Sequence, residues 1–123
     1  MKTILVVEDN PVNMRLVRLL LRTHGFGVQE ATAGQEALNW LRQERPDLIL
    51  LDMQLPGLDG FTLAAMLKSD AHTRTIPLVA ITAFAMKGDA ERVLAAGCDA
   101  YLAKPIDDAA LLEVIERCLQ KNP

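Results

Sequence analysis

The sequence has few aromatic residues and no long apolar run. Aromatic side chains make up 4% of the 123 residues and hydrophobic residues make up 50%, so a buried core has to be mainly aliphatic. No apolar run comes near the roughly 20 residues that a helix needs to cross a bilayer. The chain also passes from Met1 and Lys2 straight into a run of strand length, without the apolar region of a signal peptide. We therefore expect no insertion into a membrane.

Cysteine and clustered positive charge are also scarce. Cys98 and Cys118 are isolated and lack the C-x-x-C spacing of redox or metal sites. This pattern predicts reduced, buried thiols in a cytoplasmic protein. The formal net charge is -3, the isoelectric point is near 5.3 and no run of Lys or Arg occurs. These charges argue against nucleic acid as a partner, because binding to the phosphate backbone usually requires a basic patch.

Apolar runs of strand length alternate five times with segments of helical spacing. The run before Asp52 shows no period-2 alternation, which is typical of a parallel strand covered on both faces. Five alternations predict one α/β domain over residues 1–123, with a doubly wound parallel sheet and right-handed crossovers. The predicted strands are 3–7, 27–31, the run ending at Asp52, 77–82 and 100–103, and the predicted helices are 11–24, 35–44, 61–68, 86–96 and a last helix after Asp107.

Capping residues and apolar spacing define the predicted helices. Asn10 followed by Pro11 is typical of an N-cap and a first helical position. The third helix is predicted to be the shortest, and the fourth to turn Leu94 toward the core. The stripe predicted to be buried on the first helix consists of Val12, Leu16, Leu19 and Leu20.

Polar residues follow four of the five predicted strands. Because the carboxyl ends of parallel strands meet at one edge of the sheet, we expect these residues to converge there. They are Glu8, Asp9, Asp52, Thr82 and Lys104. Two unit charges about 4 Å apart repel by roughly 4 kcal/mol at an effective dielectric constant of about 20. Three carboxylates with one lysine therefore predict a bound cation, and a hard oxygen-ligand ion such as Mg²⁺ fits.

The same residues suit phosphoryl transfer. A carboxylate beside Mg²⁺ and a lysine can act as a nucleophile toward phosphorus, which would give an aspartyl phosphate. This reaction needs mainly positioning and charge neutralisation, and a metal ion, an ammonium group and a hydroxyl donor supply both.

The combination of motifs resembles the receiver domain of response regulators in two-component signalling, over essentially the full length of the chain. The matching segments are Glu8-Asp9, the stretch from Asp52 to Gly60, Thr82-Ala83 and Lys104-Pro105. The resemblance implies a flavodoxin-like (βα)5 fold with strand order 2-1-3-4-5. The stretch that begins at Thr82 and the ending after the last helix resemble single-domain cell-cycle regulators of the DivK type.

The resemblance also implies a role for each site residue. Asp52 would accept a phosphoryl group from a phosphohistidine of a histidine kinase or phosphotransfer protein. Asp9, Asp52 and the backbone carbonyl of Gln54 would hold Mg²⁺, with Glu8 acting through water. Lys104 would pair with the phosphoryl oxygens. The chain would catalyse only its own phosphorylation and dephosphorylation and would not be an enzyme in the ordinary sense.

The implied output surface lies on the fourth helix, fifth strand and fifth helix, where a downstream effector or kinase would bind. Thr82 would hydrogen-bond the phosphoryl group, and Tyr101 matches the aromatic residue whose inward movement accompanies activation. Phe84 and Met86 would either pack the fourth helix or contact a partner. The Lys104-Pro105 peptide would be cis. A monomer or weak dimer is expected.

Three other interpretations use the same pattern. The chain can be a receiver domain cut from a longer hybrid kinase or multidomain regulator. A phosphohydrolase of the haloacid dehalogenase type would need its nucleophile on strand one and a second acid two positions later, whereas Asp52 follows strand three and is followed by Gln54. A flavin nucleotide site is disfavoured, because Glu8 and Asp9 stand where a phosphate needs N–H donors.

Overall fold

The five predicted strands form one parallel sheet in the order 2-1-3-4-5, which confirms the predicted fold class. A computed structural model describes residues 1–83 and 87–121. The strands are β1 (Thr3–Val7), β2 (Gly27–Ala31), β3 (Leu48–Asp52), β4 (Leu78–Thr82) and β5 (Ala100–Ala103). The helices are α1 (Pro11–Thr23), α2 (Gly34–Leu41), α3 (Gly60–Ser69), α4 (Lys87–Ala95) and α5 (Asp108–Lys121).

The sheet separates two apolar cores, one on each face. All residues of β3 and of β4 are buried, as expected for inner strands of a parallel sheet. Alternate residues point to opposite faces, so Ile49 and Leu51 pack with α2, α3 and α4, whereas Leu48 and Leu50 pack with α1 and α5. The helices therefore cover both faces, as a doubly wound fold requires. Within the described chain, no helix has the length and apolar character to cross a membrane.

The buried face predicted for α1 is wrong for three of its four residues, and only Leu20 packs against the core. Met14, Val17 and Leu21 are buried on this helix, whereas Val12 is 73% and Leu19 is 62% exposed. Both sets have helical spacing, because α1 is apolar over more than one face, so periodicity alone did not distinguish them. The helix consequently carries an exposed apolar row in solvent, formed by Val12, Leu16 and Leu19.

Two other predictions about helices are corrected. The shortest helix is α2 with 8 residues, whereas α3 has 10 residues. Helix α2 ends at Leu41, three residues before the predicted end, and its last carbonyls are bonded by amides of the following turn that leads to Pro46. On α4, Val93 is buried but Leu94 is 50% exposed, so this short helix buries a narrower stripe than predicted.

The N-cap predicted for α1 is present. The Asn10 side chain accepts hydrogen bonds from the amides of Val12 and Asn13, and Pro11 occupies the first helical position of α1. Asp59 caps α3 by accepting a hydrogen bond from the Thr62 amide at 2.9 Å. Both caps follow loops at the carboxyl edge of the sheet, so they fix how the chain leaves that edge.

Candidate functional site

Strand register places Glu8 beside Asp52. Val7 of β1 pairs with Leu51 of β3, so the next residues, Glu8 and Asp52, leave adjacent strands at the same level. The Glu8 amide donates to the Ala31 carbonyl at 3.0 Å, which continues the β1–β2 ladder by one residue. The side chains of Glu8 and Asp52 are 1% and 2% exposed. Two acidic side chains are therefore held together at the carboxyl edge of the sheet.

Strands β4 and β5 bring the hydroxyl and the ammonium group to the same edge of the sheet. Asp52 pairs with Ile81 of β4, so Thr82 lies one residue farther along. Thr82 in turn pairs with Ala103 of β5, and the Lys104 amide donates to the Thr82 carbonyl at 2.8 Å. Thr82 is buried. The strand register thus brings the strand ends together at one edge of the sheet, as predicted.

Lys104 lies between the two buried carboxylates. Its Nζ donates to Asp52 Oδ2 at 3.2 Å and lies 3.5 Å from Glu8 Oε1. The other oxygen of Asp52, Oδ1, accepts a hydrogen bond from the Gln54 amide at 3.0 Å. Both oxygens of Asp52 are therefore held from the protein side, which fixes the plane of the carboxylate.

Glu8 is the acid whose protonation is most altered. Burial raises the pKa of its carboxyl to about 7, and a hydrogen bond to Asp52 acts in the same direction. The Asn10 amide, which donates to Glu8 Oε2 at 3.1 Å, and the charge of Lys104 act against this increase. Burial outweighs these opposing effects, so the pKa of Glu8 lies close to neutral pH and the carboxyl is partly protonated there.

The donor set fits a hard divalent cation. Glu8, Asp9 and Asp52 each offer a carboxylate oxygen, and these atoms all lie within 4.8 Å of one another. Asp9 is exposed whereas the other two are buried, so the cluster opens to solvent on one side. Oxygen-only ligands in this number are typical of Mg²⁺ or Ca²⁺ sites.

A groove of about 550 Å³ adjoins this cluster on the α1 side and includes Glu8, Asp9 and Arg15 in its lining. In the same groove Arg18 pairs with Glu30 at 2.7 Å. A second groove, of about 560 Å³, lies between α2 and α3 near His72, away from the acidic cluster. The groove on the α1 side is therefore the one that opens onto Glu8 and Asp9.

The structure confirms one of the remaining predictions about the site and leaves the others open. The Lys104-Pro105 peptide is cis, as predicted. Tyr101 lies on β5 and its side chain is 39% exposed. Phe84 and Met86 lie outside the described residues. The roles of Thr82 and Tyr101 in switching, and of the Gln54 carbonyl as a metal ligand, stay predictions.

Two contributors to the site were not identified from the sequence. The sequence pattern indicates Asn10 only as a helix cap, although its backbone amide also donates a hydrogen bond to the Glu8 carboxyl. Gly60 approaches the backbone so closely that a Cβ there would lie 2.4 Å from Met53 Cα and 2.9 Å from the Asp52 carbonyl oxygen. An Asp-Gly pair opening a helix signals a cap, but it does not show which backbone the glycine meets.

Sequence comparison identifies one family over most of the chain. Residues 4–116 match the response regulator receiver domain. The polar-differentiation response regulator DivK of Brucella anthropi is 46% identical over 118 residues, which are 96% of this chain and 96% of that protein.

Solved structures give the same result. The receiver domain of a sensor histidine kinase of Pseudomonas aeruginosa, described with a magnesium ion coordinated in its active site cleft, superposes with a TM-score of 0.89 at 38% identity, covering 97% of this chain and 98% of that one. The signal receiver domain of a histidine kinase of Syntrophus aciditrophicus has a TM-score of 0.91 at 33% identity, covering 98% and 92%.

Proposed function

Because this chain belongs to the response regulator receiver domain family of two-component signalling, we propose that Asp52 accepts a phosphoryl group from a phosphohistidine. The observation that carries the proposal is the position of the Asp52 carboxylate, which lies between Lys104 Nζ at 3.2 Å and the Gln54 amide at 3.0 Å. Receiver domains interact with histidine kinases and with effectors. A histidine kinase or phosphotransfer protein is therefore the proposed donor.

In the proposed reaction one Asp52 oxygen attacks phosphorus. The oxygen–phosphorus bond forms as the nitrogen–phosphorus bond of the donor breaks, and the imidazole leaves with the electron pair of that bond. The Gln54 amide orients the attacking carboxylate, and Lys104 offsets the negative charge of the phosphoryl oxygens. Thr82, at the end of β4, is proposed to donate a hydrogen bond to the phosphoryl group.

Asp9, Asp52 and the Gln54 carbonyl are proposed to hold Mg²⁺, with Glu8 contributing through water. When bound, the ion would offset the charge of the acids and of the phosphoryl oxygens. The acidic cluster supports this assignment, since its oxygen atoms lie within 4.8 Å of one another. For Glu8 to act as a negatively charged partner it must first release the proton that burial favours.

The proposed output surface consists of α4, β5 and α5, with Tyr101 on β5 and with Phe84 and Met86 preceding α4. Phosphorylation can have an output only if it changes the balance between two conformations that bind partners differently. An effector or kinase would read that change. On this proposal the chain acts in the cytoplasm, where its free thiols stay reduced, and catalyses only its own phosphorylation and dephosphorylation.

Intact-mass measurement after incubation with acetyl phosphate and Mg²⁺ tests the proposal. Wild type is expected to gain one phosphoryl group, whereas Asp52→Asn gains none. Asp70→Asn is a matched control, because Asp70 lies after α3 and bonds only the nearby chain. Equal phosphorylation of wild type and Asp52→Asn, or no phosphorylation of wild type, would contradict the proposal.

A further inference from the structure

Helix α3 begins in contact with the peptide that follows the proposed phosphoacceptor. A Cβ on Gly60 would lie 2.4 Å from Met53 Cα and 2.9 Å from the Asp52 carbonyl oxygen. No room for a side chain is left between Gly60 and this backbone, so the first turn of α3 packs directly on the peptide between Asp52 and Met53, and a shift of the turn toward that peptide would displace it. That segment also carries the Gln54 amide, which holds the Asp52 carboxylate at 3.0 Å.

The residue after Gly60 connects α3 to α4. The Arg92 guanidinium on α4 lies over the Phe61 ring, with Cζ 4.3 Å from the ring centroid, within the range of a cation–π contact. Phe61 is partly buried against the core on this face of the sheet, which restricts the ring. Arg92 therefore contacts a part of α3 that packs on the core and lies next to the glycine that meets the phosphoacceptor segment.

The cap of α3 lies in the field of the same arginine. The pKa of the Asp59 carboxyl is lowered, chiefly by the hydrogen bond from the Thr62 amide, and the charge of Arg92 acts in the same direction. The effect of Arg92 on the cap is small, so its main contact with the start of α3 is the Phe61 ring.

We propose that Arg92 is a positioning residue that couples α4 to the phosphoacceptor segment through Phe61 and Gly60. The inference rests on the proposed function for its biological meaning, but the contact itself exists without a phosphoryl group. Coupling of this kind is reciprocal. A change at Asp52 that moves residues 53–60 would alter the position of α4, and a change in α4 would alter the segment that holds Asp52.

Hydrogen exchange on the unphosphorylated protein tests the contact directly. Arg92→Met and Phe61→Leu keep the approximate side-chain volume but remove the charge or the ring. Each is expected to speed amide exchange about two- to fivefold in α4 and in residues 53–60, the range expected for an exposed cation–π contact. Arg92→Lys and Phe61→Tyr preserve the interaction and should restore exchange close to wild type.

A double-mutant cycle separates coupling from local packing. If the two residues act together, Phe61→Leu combined with Arg92→Met exchanges no faster than the more affected single variant. Arg74→Met removes an equal charge from the exposed connection between α3 and β4 and should leave both segments unchanged. Unchanged exchange of residues 53–60 in Arg92→Met, or fully additive effects in the double variant, would overturn the inference.

A second experiment adds acetyl phosphate and Mg²⁺ and measures amide hydrogen exchange and intact mass on the same samples. In wild type, phosphorylation should change exchange in α4, and in Arg92→Met this change should shrink by about half or more. An undiminished change in Arg92→Met overturns the coupling. If wild type gains no phosphoryl group, the proposed function fails, while the exchange of the unphosphorylated variants still decides whether Arg92 couples the two segments.

Discussion

Glu8 has an acidic side chain in surroundings that disfavour its charge. It is 1% exposed, and burial together with the hydrogen bond to Asp52 raises the pKa of its carboxyl to about 7. Its place at the end of a strand was enough to predict a site residue. Its protonation was not predictable, because the pKa depends on how completely β2, β3 and α1 cover it.

The raised pKa of Glu8 predicts how the free energy of unfolding changes with pH when no divalent cation is present. Between the ordinary carboxyl pKa of 4.5 and the raised pKa of about 7, the folded state binds more protons than the unfolded state, so the free energy of unfolding falls as pH rises through this interval. Glu8→Gln stays neutral and should remove this part of the slope. Urea denaturation in EDTA at about pH 5 and about pH 8 measures both proteins.

The comparison has an internal control in Asp70→Asn, which replaces an acid away from the site and should keep the wild-type slope. A Glu8→Gln protein that loses as much stability as wild type between the two pH values would show that other groups cause the dependence.

The first residue of helix α3 is Gly60, and the packing there leaves no room for a side chain. Gly60→Ala would place a methyl group 2.4 Å from Met53 Cα, and neither the helix nor the strand end can move away without cost. We expect a loss of about 1–3 kcal/mol in the free energy of unfolding, in the range of overpacking. Gly88→Ala on α4 is the matched control, since its Cβ would meet nothing within 4 Å.

In that control the alanine should leave stability unchanged or raise it by up to about 1 kcal/mol, because glycine is the poorer helix former. Chemical denaturation of both variants gives the two values. Equal effects at the two glycines would mean that the close contact at Gly60 relaxes freely.

The corrected face of α1 is testable by comparing two leucines. Leu21 is fully buried whereas Leu19 is 62% exposed. Leu21→Ala should cost about 2–5 kcal/mol of unfolding free energy, and Leu19→Ala should stay within about 0.5 kcal/mol of wild type. Thermal or urea unfolding measures the difference. A larger loss for Leu19→Ala would support the face originally predicted from periodicity.

The buried face of α1 could not be predicted from the sequence, whereas the strand boundaries could. Strand boundaries such as Thr3–Val7 and Ala100–Ala103 were predictable, because apolar runs bounded by turn residues have few alternative structures. Two apolar stripes on one helix are different, since their spacing is equally regular. Only packing on the sheet decides that Val17 is buried and Leu16 is not.

At the scale of the whole molecule, strand order was inherited from the family and not read from spacing. Alternating strands and helices predict parallel strands with right-handed crossovers, but they leave open on which side of β1 each later strand adds. The site residues were predictable because any doubly wound order collects strand ends at one edge. Their mutual distances, such as 3.2 Å from Lys104 to Asp52, depend on the register of the assembled sheet.

Binding of Mg²⁺ to the acidic cluster should stabilise the entire fold. A ligand that binds only the folded state raises the unfolding free energy by about 2.7 kcal/mol at about 100 times its dissociation constant. Wild type should therefore melt at a higher temperature in saturating Mg²⁺ than in EDTA. Asp9→Asn should lose most of this increase, yet unfold like wild type in EDTA, because Asp9 is exposed. Thermal melts followed by circular dichroism measure all four conditions.

The site is complete only when four strands, β1, β3, β4 and β5, have joined the sheet. A partly folded chain with β1 and β3 paired already brings Glu8 and Asp52 together, but it lacks the positive charge that β5 delivers through Lys104. Until β4 and β5 add to the sheet, the two acids have no ammonium group between them. A chain in which β5 has not joined the sheet therefore holds an incomplete site.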